Sequence, residues 1–116
     1  MVESDYEGLC GVNEYYMAED EAISWIFLAT AMASQVEPTN FEGIERMADG
    51  INHAIPTQKE MQNSIAILVN RDLIQKMSRK KYILSDKGKL VYENASSETN
   101  LLLKIWKNLE IKLKEL

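Results

Sequence analysis

The hydrophobic positions of this chain fall into helical spacing in four places and into strand-like runs in one. From Glu19 to about Gln35, Ile23, Ile26, Phe27 and Thr30 share one face, and Trp25, Leu28 and Met32 widen it. A helix apolar on nearly all sides belongs at the centre of a fold. Glu19, Asp20 and Glu21 sit in its first turn, where negative charge suits the helix dipole, and Pro38 stops it. Thr39-Asn40-Phe41-Glu42 fits a capping box. It predicts a short helix with Phe41, Ile44, Met47 and Ala48 on one face, ended by Gly50. After a connector over 51–55, Thr57 to Glu60 forms a second capping box. The helix it starts runs to about Asn70, with Met61, Ile65 and Leu68 buried and the small Ser64 among them.

Strand-like runs follow at Leu73 to Met77 and Lys81 to Leu84, with Ser78-Arg79-Lys80 as a tight turn between them. Ser85 is a candidate N-cap for a helix whose apolar side is Leu90, Val91 and Tyr92, broken or recapped at Ser96 and Ser97. The last helix begins near Thr99. Its Leu102, Trp106, Leu109, Leu113 and Leu116 repeat at spacings of 4 and 3, a heptad seam. The expected organisation is an N-terminal segment of open role over 1–18, a domain over 19–95 and a C-terminal amphipathic helix over 96–116. Tyr6, Tyr15, Tyr16 and Met17 give the first segment packing candidates but no period.

Length and composition fit this picture. The chain has 116 residues, one domain's worth, with 46% hydrophobic and 27% charged residues. The net charge of −5 argues against a general nucleic-acid coat, yet it is unevenly spread. Residues 1–55 hold eleven acidic residues and one basic residue, Arg46, a net of −10. Residues 56–116 hold twelve basic and seven acidic residues, a net of +5. Such asymmetry hints at a half that faces a polyanion.

Chemical machinery is sparse. Cys10 is the one cysteine, so no disulfide framework or cysteine-rich zinc site is expected. With no cationic neighbour in sequence, Cys10 reads as inert. His53 has no second histidine to share a metal and reads as a residue that orders the connector. The carboxylates of Glu19, Asp20 and Glu21 diverge at adjacent helix positions, and their place at a helix start accounts for them. No Gly-rich phosphate loop, Ser/His/Asp set or Cys/His pair occurs, so neither an enzyme nor a cofactor is expected. The acidic start MVESDYEG does not read as a signal peptide. The longest apolar stretch, Ala22 to Ala33, is shorter than the roughly 20 residues a bilayer requires. The expected compartment is the cytoplasm.

Three helices followed by a two-stranded hairpin is the order of a winged helix-turn-helix domain, an α+β fold that is mostly α. From Thr57 onward the chain resembles the bacterial winged-helix regulators of the MarR and PadR families. Their third helix usually closes on Gly-Leu-Ile, and here Asp72-Leu73-Ile74 stands in that place. Their second wing strand usually reads Tyr-x-Leu-Thr and runs into a glycine that opens a helix. Here the residues are Tyr82-Ile83-Leu84-Ser85 with Gly88 following. A dimerisation helix after the wing is PadR-like in particular. The likeness covers roughly residues 20–95. It implies a transcription regulator that binds double-stranded DNA as a homodimer.

The residues suit such a role. A recognition helix projects polar side chains from its N-terminal exposed face into the major groove. Gln58, Lys59, Gln62 and Asn63 fall opposite Met61, Ile65 and Leu68. Gln and Asn can pair bidentately with adenine, and Lys with guanine. Arg79, Lys80 and Lys81 at the wing tip would neutralise phosphates and fix register. Leu102, Trp106, Leu109 and Leu113 would form the dimer interface, with Trp106 as an anchor. The third helix, however, carries one cation and no arginine. The alternative is a winged-helix protein-protein interaction module without DNA binding. Charge geography discriminates the two: an acidic half lying beside the third helix would favour the module.

Overall fold

The computed structural model describes residues 18–115. The expectations for Cys10, Tyr6, Tyr15, Tyr16, Met17 and Leu116 lie outside the described residues. Within them the chain forms five α-helices and one two-stranded antiparallel sheet. The order is α1 (Glu19–Ala33), α2 (Phe41–Asn52), α3 (Gln58–Asn70), β1 (Ile74–Met77), β2 (Lys81–Leu84), α4 (Asp86–Ser96) and α5 (Leu102–Lys114).

Helix α1 is the hub. Every residue from Ala22 to Ala31 is buried, because α2, α3 and α5 all pack around it. Two of its buried residues are polar and satisfy themselves locally. Thr30 Oγ1 donates to the Ile26 carbonyl at 2.8 Å, and Ser24 Oγ donates to the Asp20 carbonyl at 2.9 Å. Trp25 ties α1 to α2 by donating its indole N–H to the Ala48 carbonyl at 3.0 Å. Burying an indole this way loses no hydrogen bond.

Two helix ends differ from the sequence reading. Asn40, not Thr39, caps α2: its side-chain oxygen accepts the Gly43 N–H at 2.9 Å. Thr39 is taken by the sheet instead. It forms an isolated bridge to Tyr82, with Thr39 N–H to Tyr82 O at 3.0 Å and Tyr82 N–H to Thr39 O at 2.7 Å. A backbone committed to a bridge on both sides cannot also start a helix. At the other end α2 passes through Gly50 to Asn52. His53 closes it in the left-handed conformation (φ 56°, ψ 36°), its N–H donating to Asp49 O at 2.7 Å. His53 therefore orders the start of the connector through its backbone.

Helix α3 starts at its capping box. Thr57 Oγ1 accepts the Glu60 N–H at 3.0 Å, and Glu60 Oε1 accepts the Thr57 N–H at 2.9 Å. Met61, Ser64, Ile65 and Leu68 are its buried residues. Its end is a Schellman motif. Leu73 N–H donates to Leu68 O at 2.9 Å and Asp72 N–H to Val69 O at 3.0 Å, with Asp72 at φ 61°. Asp72 thus occupies the left-handed position at which a glycine would carry no Cβ penalty.

The hairpin pairs Ile74 with Leu84 and Met77 with Lys81. Leu73, Ile74, Tyr82 and Leu84 are buried and join the core formed by α1 and α3. Ser85 then caps α4, accepting the Gly88 N–H at 3.0 Å while donating to Asp72 O at 2.6 Å. In α4 the buried residues are Gly88 and Ala95, and Val91 and Tyr92 are half-buried. Leu90, expected on the apolar side, is exposed, because α4 presents its 88/92/95 row to the body.

Helix α5 lies against α1 and α4. Its seam packs inside its own chain. Leu109 and Leu113 are buried with Ile105, and Leu102 and Trp106 are half-buried against the core. The Trp106 indole stacks on Trp25 at 6.1 Å between centroids and donates to Ser24 Oγ at 3.0 Å. No helix of the described residues is long and apolar enough to cross a membrane.

Candidate nucleic-acid interface

Gln58, Lys59, Gln62 and Asn63 are all exposed on the outer face of α3. The helix is held from behind by Met61, Ile65 and Leu68, so these four side chains project from a fixed frame. The N-terminal turn is closed by the Thr57 box, which leaves the face rigid without using any of the four.

Two of them meet carboxylates. Gln58 Nε2 donates to Glu45 Oε2 of α2, and Asn63 Nδ2 donates to Glu19 Oε2 of α1, each at 3.4 Å. The acidic half of the chain therefore reaches the edges of the third helix. A phosphate approaching Gln58 or Asn63 would meet a negative group at each end of that face. Lys59 and Gln62 lie between. Sequence spacing carries no sign of these interactions, since Glu19 and Asn63 are 44 residues apart.

The hairpin tip concentrates positive charge. Arg79 and Lys80 are exposed, Lys81 is half-buried, and Lys76 adds a fourth cation on β1. Sequence spacing does not single out Lys76, which the register pairs with Tyr82. In the tight turn at Ser78–Lys80, Arg79 (φ 62°, ψ 32°) and Lys80 (φ 58°) are both left-handed. For residues with a Cβ that conformation costs roughly 1–2 kcal/mol each, and Asn or Gly adopts it more readily. The tip thus places two cations where uncharged turn residues would hold the hairpin at lower cost.

The hairpin is anchored both beside its turn and at its base. The Thr39–Tyr82 bridge extends the sheet by one residue pair, and Phe41 stacks on Tyr82 at 5.4 Å. The α3-to-β1 turn and Ser85 fix the base. The cations at the tip are consequently displayed from a firm base.

The expected dimer residues Leu102, Trp106, Leu109 and Leu113 are drawn together on one face of α5, and that face is filled by α1 and α4 of the same chain. The opposite face exposes Leu103 and Ile111 beside Lys104 and Lys107. Among the described residues, no three His, Cys, Asp or Glu side chains gather as a metal-holding group. Compared with known proteins, the chain matches no family model, no curated protein and no solved structure.

Proposed function

We propose that this chain is a winged helix-turn-helix domain that binds double-stranded DNA as a transcription regulator. The observation that carries the reading is the hairpin tip, where Arg79 and Lys80 hold a left-handed backbone while exposing their charge. Backbone strain of this kind tends to cluster where a ligand is clamped. The order of elements supports it too: α1, the Thr39 bridge position, α2, α3 and then a hairpin whose second strand takes the bridge. In this reading the wing grips phosphates, and Lys59 and Gln62, with Gln58 and Asn63 beside them, face the major groove. Pairing of two copies uses the Leu103 and Ile111 face of α5, since the seam is filled from within. A mobility-shift titration against genomic fragments tests the reading. Binding no tighter than about 10⁻⁴ M at physiological salt, the weak end of non-specific binding, removes it.

A second reading is favoured by one observation. Glu19 and Glu45 flank the polar face of α3, as a protein-interaction module that avoids DNA would have it. The Glu19→Gln, Glu45→Gln double variant separates the two. A DNA-binding domain gains affinity from the change, and a module binds no DNA with or without it.

A further inference from the structure

A groove of about 420 Å³ opens between the C-terminal end of α1, the segment at 34–38, β2 and α4. That volume lies within the roughly 300–1,000 Å³ of small-molecule sites. Its apolar surface joins core residues, Ala31 and Leu84, to apolar side chains at the surface. Ile83 is on the outward face of β2, since Tyr82 and Leu84 supply the inward face. Alternation along a half-solvated strand calls for a polar residue at that position. Val36 is 97% exposed at the lip, and Tyr92 is half-buried on the α4 wall. Pro38 and Ala31 complete a surface that is apolar along its floor.

The charged groups at this groove are Glu37, Glu93 and Lys89. Two carboxylates against one ammonium leave the rim with an excess of negative charge. Tyr92 and Glu93 both line the groove, so a positive charge held in it has an aromatic ring and a carboxylate among its walls. We propose that this groove binds a small organic cation with an apolar body, an arylalkyl amine in chemical class. The body rests on Ile83, Val36 and Tyr92, and the ammonium faces Glu37 and Glu93. The groove lies apart from the outer face of α3 and from the wing tip, so its test does not depend on the DNA reading.

The experiment is an NMR titration of the full chain with two probes of opposite charge, phenethylammonium and phenylpropionate, each read at the backbone amides. The amine should give saturable shifts at residues 34–38, 83–84 and 89–93, with a Kd of about 1 mM for so small a probe. The carboxylate should bind at least about fivefold more weakly. A Glu37→Gln, Glu93→Gln double variant should weaken the amine by about fivefold and leave the rest of the spectrum in place, since both side chains are exposed. Ile83→Thr, which keeps a β-branched strand residue, should weaken both probes. The proposal is overturned if the amine shows no saturation by about 10 mM, if its shifts fall outside the groove, or if the carboxylate binds as tightly.

Discussion

Replacing Gly88 with Ala sets two effects of opposite sign against each other. On propensity alone, Ala in a helix is favoured over Gly by about 1 kcal/mol. The structure reverses that. A Cβ built at Gly88 runs into the Leu73 carbonyl oxygen and lies 3.1 Å from the Leu73 carbonyl carbon. Ordinary contact begins above 3.4 Å, so α4 or the backbone at Leu73 must shift. Neither is free to do so. The Leu73 carbonyl accepts the Ser85 N–H at 3.1 Å, its side chain is fully buried, and its own N–H closes α3 on Leu68. Ser85 in turn holds Asp72 O and the Gly88 N–H. Overpacking of a tight site costs about 1–3 kcal/mol, and here the displaced group is backbone tied into hydrogen bonds on both sides. At the upper end of that range, less the propensity gain of about 1 kcal/mol, Gly88→Ala should destabilise by about 2 kcal/mol net, a fall in Tm of about 8 °C or more for a domain of this size. Gly50→Ala is the control: nothing lies within 4 Å of a Cβ there, so it should gain about 0.5–1 kcal/mol. Urea unfolding followed by circular dichroism reads both. A Gly88→Ala variant as stable as the parent would refute the close approach of α4 to the α3–β1 turn.

Asp72→Gly should stabilise by about 0.5–1 kcal/mol in the same assay, because the Schellman position at φ 61° then carries no Cβ. Trp106→Asp should unfold the domain rather than yield a folded monomer, as judged by circular dichroism, since its indole stacks on Trp25 and bonds Ser24. Arg79→Asn with Lys80→Gly should raise stability by about 1–2 kcal/mol and weaken DNA binding in parallel, measured by thermal melts and fluorescence anisotropy.

Local chemistry was readable where one short segment decides the outcome. The Thr57–Glu60 box, the Ser85 cap and the 4-and-3 spacing of α5 each depend on a few neighbouring residues, and each appears in the structure. Legibility fell wherever a distant partner decides. Thr39 reads as a cap until Tyr82 claims its backbone, and the cap passes to Asn40. The heptad seam of α5 carries no mark of whether another chain or α1 fills it, and Trp106 reaches Ser24 across 82 positions. Ile105, buried with the seam, was hidden because it falls outside the heptad template. At the candidate interface the exposed row on α3 followed from periodicity. The carboxylates beside it did not, because Glu19 and Glu45 reach it only through the packing of α1 and α2 around α3. The charge split between halves was plain in the sequence, whereas its placement depended on the fold.

The salt dependence of DNA binding tests the central claim most directly. Anisotropy of a labelled duplex is titrated with the full chain and with Lys80→Ala, Lys81→Ala between about 50 and 200 mM salt. Each phosphate that a removed cation no longer neutralises reduces the slope of log K against log salt by about 0.9. A wing that grips the backbone predicts a slope shallower by about 1–2 in the double variant, with affinity falling on every sequence alike. An unchanged slope, or no binding by the parent chain, would contradict the account.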